Sequence, residues 1–333
     1  MEVTLLSLIS LILTFMAFFP FIKLLYRLKL SDPAAETHTD TQGKATPIFV
    51  QLRSNKKGTP IGAGVLVVIM TTLFYVLFVS QIGRDVNVVK VIGLLATFIG
   101  FGAIGLYDDI RKTFHLEGRA FQLKSIHKWT LQIIVAVLIS TYLVSNNAIF
   151  LGIPGILNIT HPLLIVFFCT SIIVFFANAL NITDGVDGLA SGLFLITLLP
   201  LFAFALYNST TFITSFIAIL AGGLIATLYF NVYPARVFLG DTGALSFGAV
   251  FAVIALLLGI SYILPFLGFI FIIEAISTLI QWFWKRLLGK KLFPIAPLHY
   301  TFEYIGWPET KVVFRGWILQ IVLVLVTIII LFH

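Results

Sequence analysis

The sequence predicts an all-α, polytopic membrane protein with about ten transmembrane helices and both termini outside. Three observations carry that prediction. Hydrophobic residues fill 59% of the 333 positions and charged residues only 11%; the mean hydropathy is +1.08; and the Lys and Arg gather in alternate loops. Soluble domains carry about a quarter charged residues, so a deficit spread over the whole length describes a chain solvated mainly by lipid. The same figures exclude disorder, a secreted disulfide scaffold and a soluble nucleic-acid binder, and no nucleic-acid partner is expected. The single cysteine, Cys169, lies inside an apolar run, so neither a bridge within the chain nor thiol chemistry is expected.

Stretches of about 20 apolar residues span a hydrocarbon core. In order they are Val3–Tyr26, Ile61–Ser80, Val88–Tyr107, Trp129–Ser145, Pro162–Leu180, Leu189–Tyr207, Thr211–Phe230, Thr242–Ile260, Tyr262–Trp284 and Phe314–Phe332. The first is a retained helix and no cleaved signal, because no basic region precedes it while Lys23, Arg27 and Lys29 follow it. With its start outside, the loops 28–60, 108–128, 181–188, 231–241 and 285–313 face the cytoplasm. Every Lys and Arg except Arg84 and Lys90 then lies on that side, the positive-inside bias that the reverse orientation would violate. The basic excess is thus a topology signal first, and second an attraction for anionic lipid headgroups or substrates. Two polar segments interrupt the pattern, Ser31–Gly58 and the stretch from Lys285 to Glu309. Neither is long enough for a separate domain, and no internal repeat is visible, so residues 1–333 read as a single helical membrane domain with cytoplasmic loops.

The acids are few enough to place one by one. Asp108, Asp109, Asp184, Asp187, Asp241 and Glu274 sit at or just inside the ends of apolar helices. An ionisable residue there is costly, about 2.5–3.5 kcal/mol at a helix centre and less near the interface, so it normally has a use. Under this topology the five Asp lie at the cytoplasmic mouths of their helices, where a bundle can gather them around one cavity. Carboxylates that cannot all ionise unaided call for a divalent cation, and hard oxygen ligands suit magnesium or manganese. Asp184 and Asp187 are three apart and would share a helical face, with Asn178 and Asn181 a turn earlier. The adjacent Asp108 and Asp109 would point about 100° apart, so they are expected to do different jobs. Asp241 follows Phe238-Leu-Gly240, where glycine permits a turn, and its carboxylate precedes the eighth helix as a metal ligand would.

The same face supplies Lys56, Lys57, Lys124, Lys128 and Arg236. Acids that hold a divalent ion beside flanking Lys are the apparatus of phosphoryl transfer, in which metal and cations neutralise spread charge and the protein does little covalent work. For any single Lys the alternative is simple positive-inside anchoring.

The motifs Gly105-Leu-Tyr-Asp108-Asp109, Asn178-Ala-Leu-Asn181-Ile-Thr-Asp184-Gly-Val-Asp187-Gly and Tyr229-Phe-Asn231-Val-Tyr-Pro-Ala-Arg-Val-Phe238-Leu-Gly240-Asp241-Thr-Gly243 resemble the polyprenyl-phosphate N-acetylhexosamine-1-phosphate transferases over nearly the whole chain. Pro297-Leu-His299, Phe302-Glu303, Gly306-Trp-Pro-Glu309 and Val312-Val-Phe-Arg315 look most like its phospho-N-acetylmuramoyl-pentapeptide branch, as do Lys57-Gly58-Thr59-Pro60, Glu274 and Gln281. The resemblance implies a Mg²⁺-dependent transfer of phospho-MurNAc-pentapeptide from a UDP-linked donor to undecaprenyl phosphate, releasing UMP and forming lipid I for peptidoglycan synthesis. It also implies a multi-pass protein of the bacterial cytoplasmic membrane, its active site facing the cytoplasm, and a homodimer. Carried over position by position, Asp241 would be the metal ligand and Asp108 the base or partner of the acceptor phosphate. Asp109, Asp184 and Asp187 would lie at the donor or phosphate site, with Lys57, Thr59, Lys128, Asn181, Asn231, Phe238, Gln281 and His299 helping to hold the donor. A strong base is not required chemically, because a phosphate monoester is largely ionised at neutral pH.

The chain departs from that branch in reading His299-Tyr300-Thr301 where the branch has three histidines, and Thr59-Pro-Ile-Gly-Ala-Gly64 where it has Thr-Pro-Thr-Met-Gly-Gly. A UDP-N-acetylhexosamine donor for another envelope polymer is therefore the alternative. An ion-coupled transporter would carry its acids near the midplane of repeated halves, whereas these lie at one face. An inactive paralogue would be expected to have lost metal-site acids, and all five Asp motifs are intact.

Overall fold

The computed structural model describes residues 3–31, 47–53, 56–82, 87–113, 125–153 and 155–332. Lys124, Arg84 and most of the Ser31–Gly58 segment lie outside the described residues. The helices are α1 (Val3–Arg27), α2 (Pro47–Arg53), α3 (Ala63–Ile82), α4 (Val88–Thr113), α5 (Ser125–Ser145), α6 (Pro162–Thr183), α7 (Leu189–Tyr207), α8 (Thr211–Asn231), α9 (Gly240–Leu257), α10 (Leu264–Leu267), α11 (Phe269–Leu288), α12 (Leu298–Tyr304) and α13 (Glu309–Phe332). A small antiparallel hairpin, β1 (Gly152–Ile153) with β2 (Leu157–Asn158), joins α5 to α6, pairing Gly152 with Asn158.

Among the described residues nine helices are long and apolar enough to cross a membrane, so the chain is a multi-pass, all-α membrane protein. The tenth predicted span, Tyr262–Trp284, is not one helix. It is broken into a short piece and α11, which meet at 74°. Gly268 lies at the break, and a Cβ there would come within 2.3 Å of the Phe176 ring and 3.0 Å of the Leu264 carbonyl oxygen. The close packing of α6 on this corner, which apolar periodicity does not record, fixes the bend. The small elements α2, α12 and the hairpin also fall where only loops were expected.

Helix α9 is the axis of the bundle, buried at every position from Thr242 to Leu257. The absence of charge from Thr242 to Leu257 and the many small residues there suit it to protein neighbours on all sides. Phe247 stacks between Phe98 of α4 and Phe194 of α7, with centroids 6.2 and 5.2 Å away and planes within 13° of parallel. Outer helices show the opposite pattern, with Leu8, Met16 and Phe19 of α1 and Ile318, Leu325 and Ile329 of α13 exposed as lipid-facing surface. Gly105 brings α4 against the start of α9: a Cβ at Gly105 would meet the Asp241 carbonyl oxygen at 2.3 Å. That contact sets Asp108 and Asp109, one turn further along α4, beside Asp241. The end of α1 reaches the same place, since Ile61 N–H donates to Leu30 O at 2.8 Å and Gly62 N–H to Phe238 O at 3.1 Å.

Candidate active site

Asp108 and Asp241 come from different helices and share two ammonium groups. Lys112 Nζ lies 3.1 Å from Asp108 Oδ2 and 2.8 Å from Asp241 Oδ2. Lys128 Nζ lies 2.9 Å from Asp108 Oδ2 and also bonds Asp241 Oδ2. Asn181 Nδ2 donates to the other oxygen, Asp241 Oδ1, at 2.8 Å. The Asp108 and Asp241 side chains are only 7% and 13% exposed, so two carboxylates this close need compensating charge, which the lysines supply. Lys112 was not singled out from the sequence, although it stands four residues after Asp108 on α4, a spacing that places both on one face.

Asp109 points elsewhere, as the 100° offset between neighbours requires. Its Oδ1 accepts the Asp241 amide at 2.9 Å, and its Oδ2 accepts the Thr242 amide at 2.9 Å and the Thr242 hydroxyl at 2.8 Å. The first amides of a helix lack partners within it, and Leu239, before α9, offers no side-chain cap. Asp109 therefore caps α9 from α4, favourably placed at a helix N-terminus.

The two acids that follow α6 also separate. Asp184 ends α6, its amide donating to Leu180 O at 3.1 Å; burial pushes its carboxyl well above the usual carboxylate range, against the pull of Arg53. Asp187 Oδ1 accepts from Lys56 Nζ at 2.7 Å and Oδ2 from the Ala235 amide at 2.9 Å, so both oxygens are committed. Burial lowers the Lys56 ammonium, but Asp187 and Glu309 more than offset that and hold it above the usual lysine range. Lys57, the neighbour favoured by the sequence reading, is exposed. The Thr59 amide donates to Lys56 O at 3.2 Å. The Phe238 ring lies 5.9 Å from both Lys56 Nζ and the Arg53 guanidinium carbon.

Other predicted donor residues staple loops. Asn231 Oδ1 accepts from the Gly188 amide at 3.2 Å and the Ser191 hydroxyl at 2.7 Å, while its Nδ2 donates to Val237 O at 3.0 Å. Gln281 Oε1 accepts the Leu292 and Phe293 amides at 3.0 and 2.9 Å. Asn178 turns to Gln132 of α5, 2.5 Å away, and does not join Asn181 at Asp241. His299 is fully buried, its Nδ1 3.1 Å from Glu274 Oε2, and its Nε2 has no hydrogen-bond partner. That nitrogen lies 2.3 Å from where a Cβ on Gly185 would stand. Tyr300 O–H donates to Gly185 O at 3.0 Å, and Thr301 O–H donates to Ile295 O. Trp307 stacks on Phe302 at 4.8 Å and carries Arg315 over its ring at 4.3 Å.

The five Asp expected around one cavity take separate partners. Asp108 and Asp241 converge, Asp109 caps a helix and Asp187 is paired with Lys56, because each acid finds the nearest unmet donor. Among the described residues no three His, Cys, Asp or Glu are placed to hold one metal ion. Carboxylate oxygens are the ligand type that magnesium or manganese takes, and here both converging acids are met by the two lysines.

Residues 91–259 match glycosyl transferase family 4. Along 97% of this chain and 96% of its own length, a protein of Caldanaerobacter subterraneus named phospho-N-acetylmuramoyl-pentapeptide-transferase is 34% identical. One of the same name from Staphylococcus saprophyticus is 33% identical over 95% of both chains. A third, from Clostridium novyi, is 37% identical over 81% of this chain and 82% of its own.

Proposed function

The chain belongs to glycosyl transferase family 4, and from that premise we propose that it is a phospho-N-acetylmuramoyl-pentapeptide-transferase. The acceptor is undecaprenyl phosphate and the donor UDP-MurNAc-pentapeptide. A phosphate oxygen of the acceptor attacks the sugar-bearing phosphorus of the donor; the bond from that phosphorus to the bridging oxygen breaks, and UMP leaves with that oxygen. The product is a lipid-linked pyrophosphate. The observation that carries this reading is the convergence of Asp108 and Asp241 on Lys112 and Lys128.

Asp241 and Asp108 would hold a magnesium ion, which supplies positive charge to the diphosphate when bound. Lys112 and Lys128 would follow the negative charge from carboxylate to phosphate, each ammonium touching both acids. Asn181 keeps Asp241 turned toward them. Asp108 orients the acceptor phosphate, which needs no strong base. The site faces the cytoplasm of a bacterial inner membrane in this reading, the chain acts as one membrane domain, and two copies pair.

The test is UMP release by the purified protein with undecaprenyl phosphate, Mg²⁺ and a panel of UDP-sugars. Side-by-side kcat/KM for UDP-MurNAc-pentapeptide and UDP-GlcNAc decides the donor. A preference for UDP-GlcNAc of about tenfold or more, roughly 1.4 kcal/mol, supports the N-acetylhexosamine reading instead. One observation favours that second reading: the hydroxyls of Tyr300 and Thr301, which stand where the branch has histidines, are turned onto backbone carbonyls.

A further inference from the structure

Lys56, Asp187 and Glu309 form a buried three-way ion pair outside the Asp108–Asp241 centre. Lys56 Nζ is 2.7 Å from Asp187 Oδ1 and is bonded on its other side to Glu309 Oε1. The three side chains are 9%, 4% and 11% exposed. Glu309 Oε1 also accepts the Asp187 amide at 2.7 Å, while Asp187 Oδ2 accepts the Ala235 amide at 2.9 Å. Four stretches of chain are thus tied at one point: the turn after α2, the α6–α7 turn, the α8–α9 loop and the first residue of α13.

Two of those stretches deliver the reacting centre. The α6–α7 turn continues from Asn181, which holds Asp241 Oδ1, and the loop containing Ala235 leads into Asp241 itself. Glu309 Oε1 is committed to Lys56 and to the Asp187 amide, away from the Asp108–Asp241 centre. A buried ammonium that loses one of its acids, or a buried amide that loses its acceptor, leaves unmet polarity, so the arrangement holds or fails as a unit.

We infer that Glu309 is a positioning residue for the transfer: from the start of α13 it holds Lys56 and the Asp187 turn, and so fixes both loops that set Asn181 and Asp241. The inference rests on the proposed activity for its kinetic part only. It is tested by comparing Glu309→Ala, Glu309→Asp and Glu309→Gln with the wild type in donor and acceptor kinetics and in hydrogen exchange of the 232–238 segment. Glu309→Ala should lower kcat by about tenfold or more, with donor KM within about threefold. Exchange of the Ala235 amide should quicken by about tenfold, although Glu309 does not touch that amide. Glu309→Gln, which keeps both acceptor contacts, should restore most of kcat; Glu309→Asp, one methylene short, should not. Unchanged exchange at 232–238, or kcat within about threefold of wild type in Glu309→Ala, overturns the inference. If Glu309→Ala does not fold, the contrast between Gln and Asp decides it by the same two readouts. A wild type silent on every donor sinks the activity instead, and the exchange result alone then decides the clamp.

Discussion

Asp109 accepts the backbone amide of Asp241 at 2.9 Å, so the acid adjacent to Asp108 is spent on holding the turn that presents Asp241. The pair Asp108-Asp109 is one positioning device with two faces. One side chain meets the cations of the site, and the other builds the helix start from which the second site carboxylate projects. Gly105, a turn earlier, admits the α9 backbone close enough for both.

Asp109→Ala and Asp108→Asn should therefore fail in different ways. Loss of the α9 cap is expected to cost about 0.5–2 kcal/mol and to lower the melting temperature together with turnover. Asp108→Asn should abolish most turnover while leaving the melting temperature near that of wild type. Thermal unfolding and UMP release on the same two preparations distinguish them; equal melting temperatures would remove the capping role from Asp109.

Replacing Asp241 by Ala removes the acid that both lysines and Asn181 face. Turnover should collapse by orders of magnitude, because Asp108 alone is left where the site needs two carboxylates. Near-wild-type turnover at limiting Mg²⁺ would take Asp241 out of the metal site and the reaction class with it.

Charge placement in the sequence made the membrane helices legible and singled out Asp108 and Asp241, which the fold brings together, since an acid at the end of an apolar run needs a reason. It did not show which partners divide those acids, because they are backbone amides remote in sequence: Thr242 at the start of α9 for Asp109, and Ala235 in the α8–α9 loop for Asp187. Lys56 and Lys57 are indistinguishable by composition, and only packing makes one buried and the other exposed. The break at Gly268 was hidden for the same reason, since the Phe176 ring that crowds it lies on another helix.

The loop charges predict an orientation that labelling can test. A cysteine placed at Asn147, in the turn before the β1–β2 hairpin, should label from outside intact cells, and one at Lys290, beyond α11, should not. Reversed labelling would put the site on the outer face, away from any cytoplasmic nucleotide sugar.

His299 presents a buried Nε2 with no partner while Glu274 holds its Nδ1. The hydroxyls of Tyr300 and Thr301 are already bonded inside the protein. His299→Ala should weaken donor use, read as kcat/KM, by about tenfold more than Tyr300→Phe or Thr301→Val. A larger loss in Tyr300→Phe would make the tyrosine, with its hold on Gly185, the determinant of donor use.

Stability should fall as pH rises toward neutrality, and Glu303 is one group that makes it do so. Burial, with the nearby charge of Glu309, pushes its carboxyl up to about 7 from an ordinary 4.5, against the pull of Lys56 and Arg53; its Oε1 is buried without a hydrogen-bond partner. Between these two values the folded chain keeps a proton that the unfolded chain has released. The native state thus binds more protons, and the free energy of unfolding drops with each step up in pH across that window. Above about 7 both states have lost the proton, and the penalty stays constant. Glu303→Gln keeps the shape and removes the titration. Melting temperatures across pH 4.5 to 7 should decline in the wild type and decline less in Glu303→Gln, which should be the more stable of the two at the alkaline end. Parallel curves for the two proteins would show that Glu303 already ionises in the folded state as freely as in water.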